Sequence, residues 1–156
     1  MTPSPAPGVT DDIDLLALDQ QVCFALSVAS RTVISVYRPL LEPMGLTHPQ
    51  YLVMLALWGA EPLSVSDLSR MLDVDAGTLS RLLKRLEAAG YVTRSRDPRD
   101  ERSLAVALTE EGRALRAQAV KIPPAIIDRL GVGLDELVEL HSRLTRVIAA
   151  AKAAQP

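Results

Sequence analysis

A single cysteine, Cys23, in a chain of 156 residues excludes an intrachain disulfide, and with it the stapled scaffold of a small secreted protein. Aromatic residues are nearly as scarce: Phe24, Tyr37, Tyr51, Trp58 and Tyr91 are all there are. Apolar residues still make up 48% of the chain, mostly Leu, Val and Ala, which predicts a core of packed helices with a small strand element at most. Neither sign of charge dominates. Seventeen Lys and Arg stand against 19 Asp and Glu, a formal net charge of -2. That balance speaks against indiscriminate coating of nucleic acid and leaves room for a local basic face. No apolar run approaches the roughly 20 residues of a membrane span; VISVYRPLL is broken by Arg38 and Pro39. The opening MTPSPAPG has neither the basic nor the apolar region of a secretory signal. A reducing, cytoplasmic setting without a membrane partner is the expectation, and the length suits one cored domain.

What is present is ordered along the chain. Residues 1–10 carry Pro3, Pro5, Pro7 and Gly8 and are expected to form a flexible tail. Apolar residues at helical spacing from Asp12 to about Leu41 predict a first long helix, with Pro39 and Pro43 closing it or bending its last turn. After Gly45, Thr47 or His48 flanks a second helix opened by Pro49, with Tyr51, Leu52, Leu55 and Trp58 expected inward. Ser64 and Asp75 are the next helix-capping residues, and Gly90 stops the helix that Asp75 starts. Strands are expected at Tyr91–Arg96 and Leu104–Leu108, joined by a polar loop from Asp97 to Arg102. Thr109 caps a further helix, bent or divided at Pro123–Pro124, and after Gly131 and Gly133 a last helix carries Leu134, Leu137, Val138, Leu144, Val147 and Ile148.

The segment from Ser64 to Ser103 is the chemically informative one. Two short helices, a tight turn and a basic hairpin spell a winged helix-turn-helix, whose second helix fits a DNA major groove. Its donor-rich positions are Thr78, Ser80, Arg81, Lys84 and Arg85; Ser64 and Asp75 start the two helices, and Arg94, Arg96, Arg99 and Arg102 belong to the hairpin. Arginine and hydroxyl side chains are what base edges and phosphates require, and an arginine at the hairpin tip suits the narrower minor groove. Asp100 and Arg102 are placed to shape the wing through a contact of their own.

The apolar stripes at both chain ends exceed what one small winged domain needs. They predict a dimerisation layer that holds two recognition helices about 34 Å apart on a palindromic duplex. The expected architecture is therefore mainly α: 11–46 as an N-terminal dimerisation and sensor region, 47–108 as a winged helix-turn-helix with a two-stranded wing, and 109–152 as C-terminal dimerisation helices.

The segments LDQQVCFALSVASRTVISVYRPLLEPMGLTHPQYLVMLALW, LDVDAGTLSRLLKRLEAAGYVTRSRDPRDERS and VALTEEG resemble the MarR family of winged-helix repressors, in particular its organic-hydroperoxide-sensing branch. The resemblance covers Leu18 to Ala150. It implies a homodimer on palindromic double-stranded operator DNA and an organic hydroperoxide as signal. It also implies that Cys23 is the redox-sensing residue and that Tyr37 hydrogen-bonds its thiolate across the interface. Where that branch carries further tyrosines, this chain has His48 and Ser27. His48, if protonated, would add a charge favouring the thiolate. With no second cysteine, the reversible product is expected to be a mixed disulfide with a low-molecular-weight thiol, or a sulfenamide.

Two other readings stay open at this point. A regulator of the same fold could be released by a small aromatic ligand in a crevice near His48, Tyr37 and Trp58. A small thiol peroxidase could use Cys23 for turnover, although the chain offers no resolving cysteine and no other catalytic constellation. Cys23, His48 and His141 form no compact metal motif, and no cofactor is expected.

Overall fold

The computed structural model describes residues 14–156, so the tail expected at 1–10 and the helix start expected at Asp12 lie outside the described residues. They fall into two units whose boundary lies between Ser35 and Val36. In the first, Leu18–Gln20 forms a single 3-10 turn, and Gln21 is extended before α1 (Val22–Leu41) begins. The first helix thus starts about ten residues later than its apolar spacing suggests. Asp14 ties down the chain there, accepting from the Leu16 backbone N–H at 3.0 Å through its carboxylate, and the Gln21 amide donates to the Leu15 carbonyl. Within Val22–Ser35 no residue is buried in the single chain, and Phe24, Leu26, Val28 and Ile34 are exposed.

The second unit, from Val36 to Pro156, holds the rest of α1 and all that follows it. Helix α1 runs through Pro39 to Leu41, and a 3-10 turn, Glu42–Met44, follows. Next come α2 (His48–Gly59), β1 (Leu63–Ser64), α3 (Val65–Leu72), α4 (Ala76–Ala88), β2 (Val92–Asp97) and β3 (Asp100–Leu108). Helices α5 (Glu110–Ala119), α6 (Ile122–Leu130) and α7 (Leu134–Ala153) complete the chain. The sheet is antiparallel in the order β1-β3-β2, so the expected two-stranded wing gains a short third strand at its root. Leu63 pairs with Val106 and Ser64 with Ala105, which ties the start of α3 to the wing.

Four helices begin on a hydroxyl or carboxylate that accepts a backbone N–H three residues on: Thr47 from Gln50, Ser64 from Asp67, Asp75 from Thr78 and Thr109 from Gly112. Each cap satisfies an N–H that the helix itself leaves without a partner. At Thr47 the Gln50 amide oxygen returns the favour to the Thr47 N–H, a full capping box.

The core gathers Val53, Met54 and Leu57 from α2, Leu68 from α3, Leu79, Leu83 and Leu86 from α4, and Val106 from β3, all essentially inaccessible. The inward face of α2 is therefore not the one expected. Tyr51 is buried and Trp58 half-buried, but Leu52 and Leu55 are exposed. Helix α2 is apolar nearly all round, so its spacing alone does not choose a face. The predicted division near Pro123–Pro124 occurs at Val120–Lys121, because a proline fits the first turn of a helix better than its interior. Helix α7 has no buried residue in the single chain, though Lys152 near its end pairs with Asp73 at 3.0 Å.

One close approach fixes α5 against the root of the wing. A Cβ on Gly112 would meet the Tyr91 carbonyl oxygen at 2.1 Å and its carbon at 3.1 Å. Trp58 Nε1 donates to the Gly112 carbonyl at 2.9 Å, and the Tyr91 hydroxyl donates to the Met44 carbonyl at 2.9 Å. Helix propensity alone would make Gly112→Ala stabilising by about 1 kcal/mol. The contact with backbone reverses that sign, and the substitution is expected to cost about 1–3 kcal/mol. Urea unfolding checks it; an unchanged or raised midpoint contradicts the packing described.

Candidate nucleic-acid interface and thiol helix

Helices α3 and α4 are joined by Asp73, Val74 and Asp75, a three-residue turn of helix-turn-helix length. The turn needs one left-handed residue, and Asp73 supplies it with φ 55°. Ser69 Oγ closes it by donating to the Val74 carbonyl at 2.5 Å. Asp75 then starts α4, accepting the Thr78 N–H at 2.7 Å and its hydroxyl at 3.0 Å. Those two donors, with Arg81 nearby, hold the Asp75 carboxyl below the usual carboxylate range. The leucine stripe of α4 faces the core, and Ser80, Arg81, Lys84 and Arg85 are left exposed, with Thr78 half-exposed. Three cations thus share a continuous outer surface with two hydroxyls.

The wing is longer and tighter than the sequence suggested. Strands β2 and β3 extend to Asp97 and Asp100, leaving only Pro98 and Arg99 in the turn. Proline cannot take the positive φ that the commonest two-residue hairpin turns require, and the register shifts between Arg96 and Asp97 to accommodate it. Asp97 is buried and accepts the Arg99 N–H at 2.9 Å, which lowers its pKa. Asp100 does meet Arg102, but through the Arg102 backbone N–H at 3.0 Å. Among the described residues the guanidinium groups of Arg96 and Arg102 have no carboxylate partner.

Three residues expected at the DNA surface have their polar atoms engaged elsewhere. Ser64 is buried, with its hydroxyl on the Asp67 N–H at 2.9 Å. Asp75 is the α4 cap. Arg94 is held by Glu87 of α4, its Nε on one carboxylate oxygen and its Nη2 on the other at 3.3 Å. Glu87 was missed in the sequence, although the helical spacing of Ser80, Lys84 and Glu87 puts all three on one stripe.

Tyr37 and His48 come together edge to face, with ring centroids 4.9 Å apart. Tyr51, expected only as core, joins them at 6.0 and 6.3 Å. Burial lowers the His48 pKa from its ordinary 6.5, so at neutral pH the ring is neutral. Burial thus disfavours the positive charge envisaged for it beside a thiolate. Cys23, in the other unit, is exposed on the first turn of α1. A separate cleft of about 260 Å³ lies between α2 and α5–α6, walled by Tyr51, Leu55, Trp58, Val120 and Pro123 with Arg116 at its edge.

A three-residue helical turn, a capped helix with a basic outer face and a two-strand wing at its side define a winged helix-turn-helix DNA-binding protein. The MarR family model matches residues 46–104, from the start of α2 into the wing. The organic hydroperoxide resistance transcriptional regulator of Bacillus subtilis (strain 168) is 41% identical over 131 residues, covering 84% of this chain and 89% of that protein. The HTH-type transcriptional regulator TtmR of Methylorubrum extorquens (strain PA1) is 46% identical over 79% of this chain, which spans 63% of TtmR. Among solved structures, overoxidized AbfR bound to DNA superposes with a TM-score of 0.71 at 32% identity, covering 86% of this chain and 94% of that one. AbfR is also known reduced on DNA and in a disulfide-formed state. The chain belongs to the MarR family and is a DNA-binding transcriptional regulator. Among the described residues no helix is long and apolar enough to cross a membrane.

The lowered His48 pKa has a stability consequence of definite sign. Between its folded pKa and 6.5 the unfolded chain binds more protons than the folded one. Stability therefore rises with pH through that window and falls as the medium is acidified below 6.5. An NMR titration of His48, assigned with His48→Asn, is expected to give a midpoint below 6.5. A midpoint at or above that value contradicts the burial described.

Proposed function

We propose that this chain is a repressor that holds palindromic operator DNA as a homodimer and releases it when an organic hydroperoxide oxidises Cys23. The observation that carries this reading is the placement of the chain's only thiol, exposed on the first turn of α1, within a chain 41% identical to an organic hydroperoxide regulator. MarR regulators are typically dimeric. The exposed apolar side chains of α7, Leu134, Val138, Leu140, Val147 and Ile148, are what a second subunit would cover, and so are those of α1. On this reading 11–46 and 109–152 form the dimer layer, and 47–108 reads DNA.

Thr78, Ser80, Arg81, Lys84 and Arg85 are assigned to the major groove and its phosphates, and Arg96, Arg99 and Arg102 to the wing contacts. Ser64, Asp75 and Arg94 act behind them, as caps and as an ion pair. The redox step is balanced within the named reactants. The Cys23 thiolate attacks the terminal peroxide oxygen, the O–O bond breaks, and the alkoxide takes a proton and leaves as the alcohol. Sulfur, oxidised by two electrons, becomes a sulfenic acid. A low-molecular-weight thiol then attacks that sulfur; an S–S bond forms and water leaves. Tyr37, supplied across the dimer interface, is assigned to hydrogen-bond the thiolate, with a neutral His48 packed on its ring. The bulk added at α1 favours a dimer whose recognition helices no longer match two half-sites, and only that difference in stability drives release.

The α2–α5 cleft favours a second reading, release by a single-ring aromatic ligand. It offers Trp58 and Tyr51 rather than the Tyr37 and His48 expected from the sequence.

Both readings share the DNA assignment, so it is tested first. With a duplex selected from a random pool, Arg81→Ala or Arg102→Ala is expected to lose about 1–3 kcal/mol of binding. Unchanged affinity in both variants contradicts the assignment. Cys23→Ser is expected to bind the same duplex as the natural chain does and to stay bound when cumene hydroperoxide is added. Release of that variant to the full natural extent rejects the thiol as sensor.

A further inference from the structure

We propose that Glu87 is a charge-masking residue that limits how strongly the protein is drawn to any DNA backbone. It stands on the outer stripe of α4, one turn beyond Lys84, where a carboxylate faces the ligand with the wrong sign. What it does there is specific. Both of its oxygens engage Arg94 of β2 in a fork-to-fork pair, with the two side chains 32% and 22% exposed.

Arg94 lines a crevice of about 380 Å³ between α4 and the wing, whose other polar members are Ser80, Arg102 and Ser103. Arg94 is thus at the interface but spends its charge inside the protein. The contrast with its neighbours is sharp. Arg81, Lys84, Arg85, Arg96 and Arg102 have no carboxylate partner among the described residues, and the Arg99 guanidinium meets Asp97 only at 3.4 Å while its side chain remains 71% exposed.

Counterion release turns this into numbers. Each phosphate neutralised by a free cation adds about 0.9 to the slope of log affinity against log salt. A closed Glu87–Arg94 pair adds nothing, because its net charge is zero. Glu87→Gln keeps an acceptor for Arg94 and removes only the charge, so one cation per subunit becomes free to neutralise a phosphate. The double variant Glu87→Gln/Arg94→Gln returns the site to zero.

The inference rests on α4 facing DNA, and the experiment separates the two claims. The full chain and the variants are titrated by fluorescence anisotropy onto a 24-base-pair duplex of mixed sequence across a salt series, after thermal unfolding has shown that each is folded. Glu87→Gln is expected to bind more tightly at low salt, with a slope steeper by about 0.9 per subunit. Arg94→Gln, which uncovers the carboxylate, is expected to bind more weakly. The double variant is expected to share the natural chain's slope. A double variant that loses about 0.9 of slope per subunit would show Arg94 to be a phosphate contact and overturn the proposal, as would weaker binding by Glu87→Gln. Absence of salt-dependent binding by the natural chain would instead remove the DNA-facing assignment of α4.

Discussion

The DNA-reading unit depends on the contact between the first turn of α5 and the root of the wing. Gly112 is there because no side chain fits against the Tyr91 carbonyl. The same carbonyl accepts the Thr109 N–H at 3.0 Å, and Thr109 in turn caps α5 and donates its hydroxyl to the Gly90 carbonyl at 2.5 Å. Trp58 adds α2 to the joint through its indole N–H. Helices α2 and α5 and the wing root are thus locked by backbone-directed hydrogen bonds rather than by side-chain packing alone. Such bonds have narrow geometry, so α5 and the wing move together or the joint breaks.

Polar groups in this chain are divided between holding the fold and meeting a ligand. Thr47, Ser64, Asp75 and Thr109 each spend an oxygen on a helix start. Glu61 sits between the Leu108 N–H at 2.7 Å and Arg113 at 2.6 Å, closing the end of β3. The cations of the outer face of α4, Arg81, Lys84 and Arg85, and Arg96 and Arg102 of the wing take no part in such contacts through their side chains. A chain of net charge -2 can still present a cationic surface there, because Arg81, Lys84, Arg85, Arg96 and Arg102 outnumber Glu101, the exposed carboxylate of the wing that has no partner among the described residues.

Much of this was legible from residue types at fixed offsets. Asp75 with a leucine stripe after it, Gly90 at the end of α4 and Thr109 before two glutamates located their elements closely, since caps and stops are local chemistry. The inward face of α2 was not legible, because an all-round apolar helix leaves the choice to its neighbours. Nor was β1, two residues whose pairing with β3 depends on chain brought back from 40 residues away. At the candidate site the α4 positions were readable from periodicity, whereas the engagement of Arg94 by Glu87 depends on how the wing folds against the helix. The T-x-x-Q spacing at Thr47–Gln50 is a local signal of the same kind as those caps, a full capping box at the start of α2.

The unit that carries Cys23 has a different physical character. Its helix leaves Phe24, Leu26 and Val28 exposed next to the chain's one thiol, so on the proposed reading dimer formation and thiol chemistry share the same stretch of α1. Coupling the two requires only that the oxidised side chain fit one dimer geometry less well than another. The most direct measurement follows protein on its selected duplex during addition of substoichiometric cumene hydroperoxide with a low-molecular-weight thiol, reading anisotropy and intact mass from the same samples. The account predicts that the fraction released tracks the fraction carrying a thiol adduct on Cys23. Release without a mass change at Cys23, or complete modification with the duplex still bound, would contradict it.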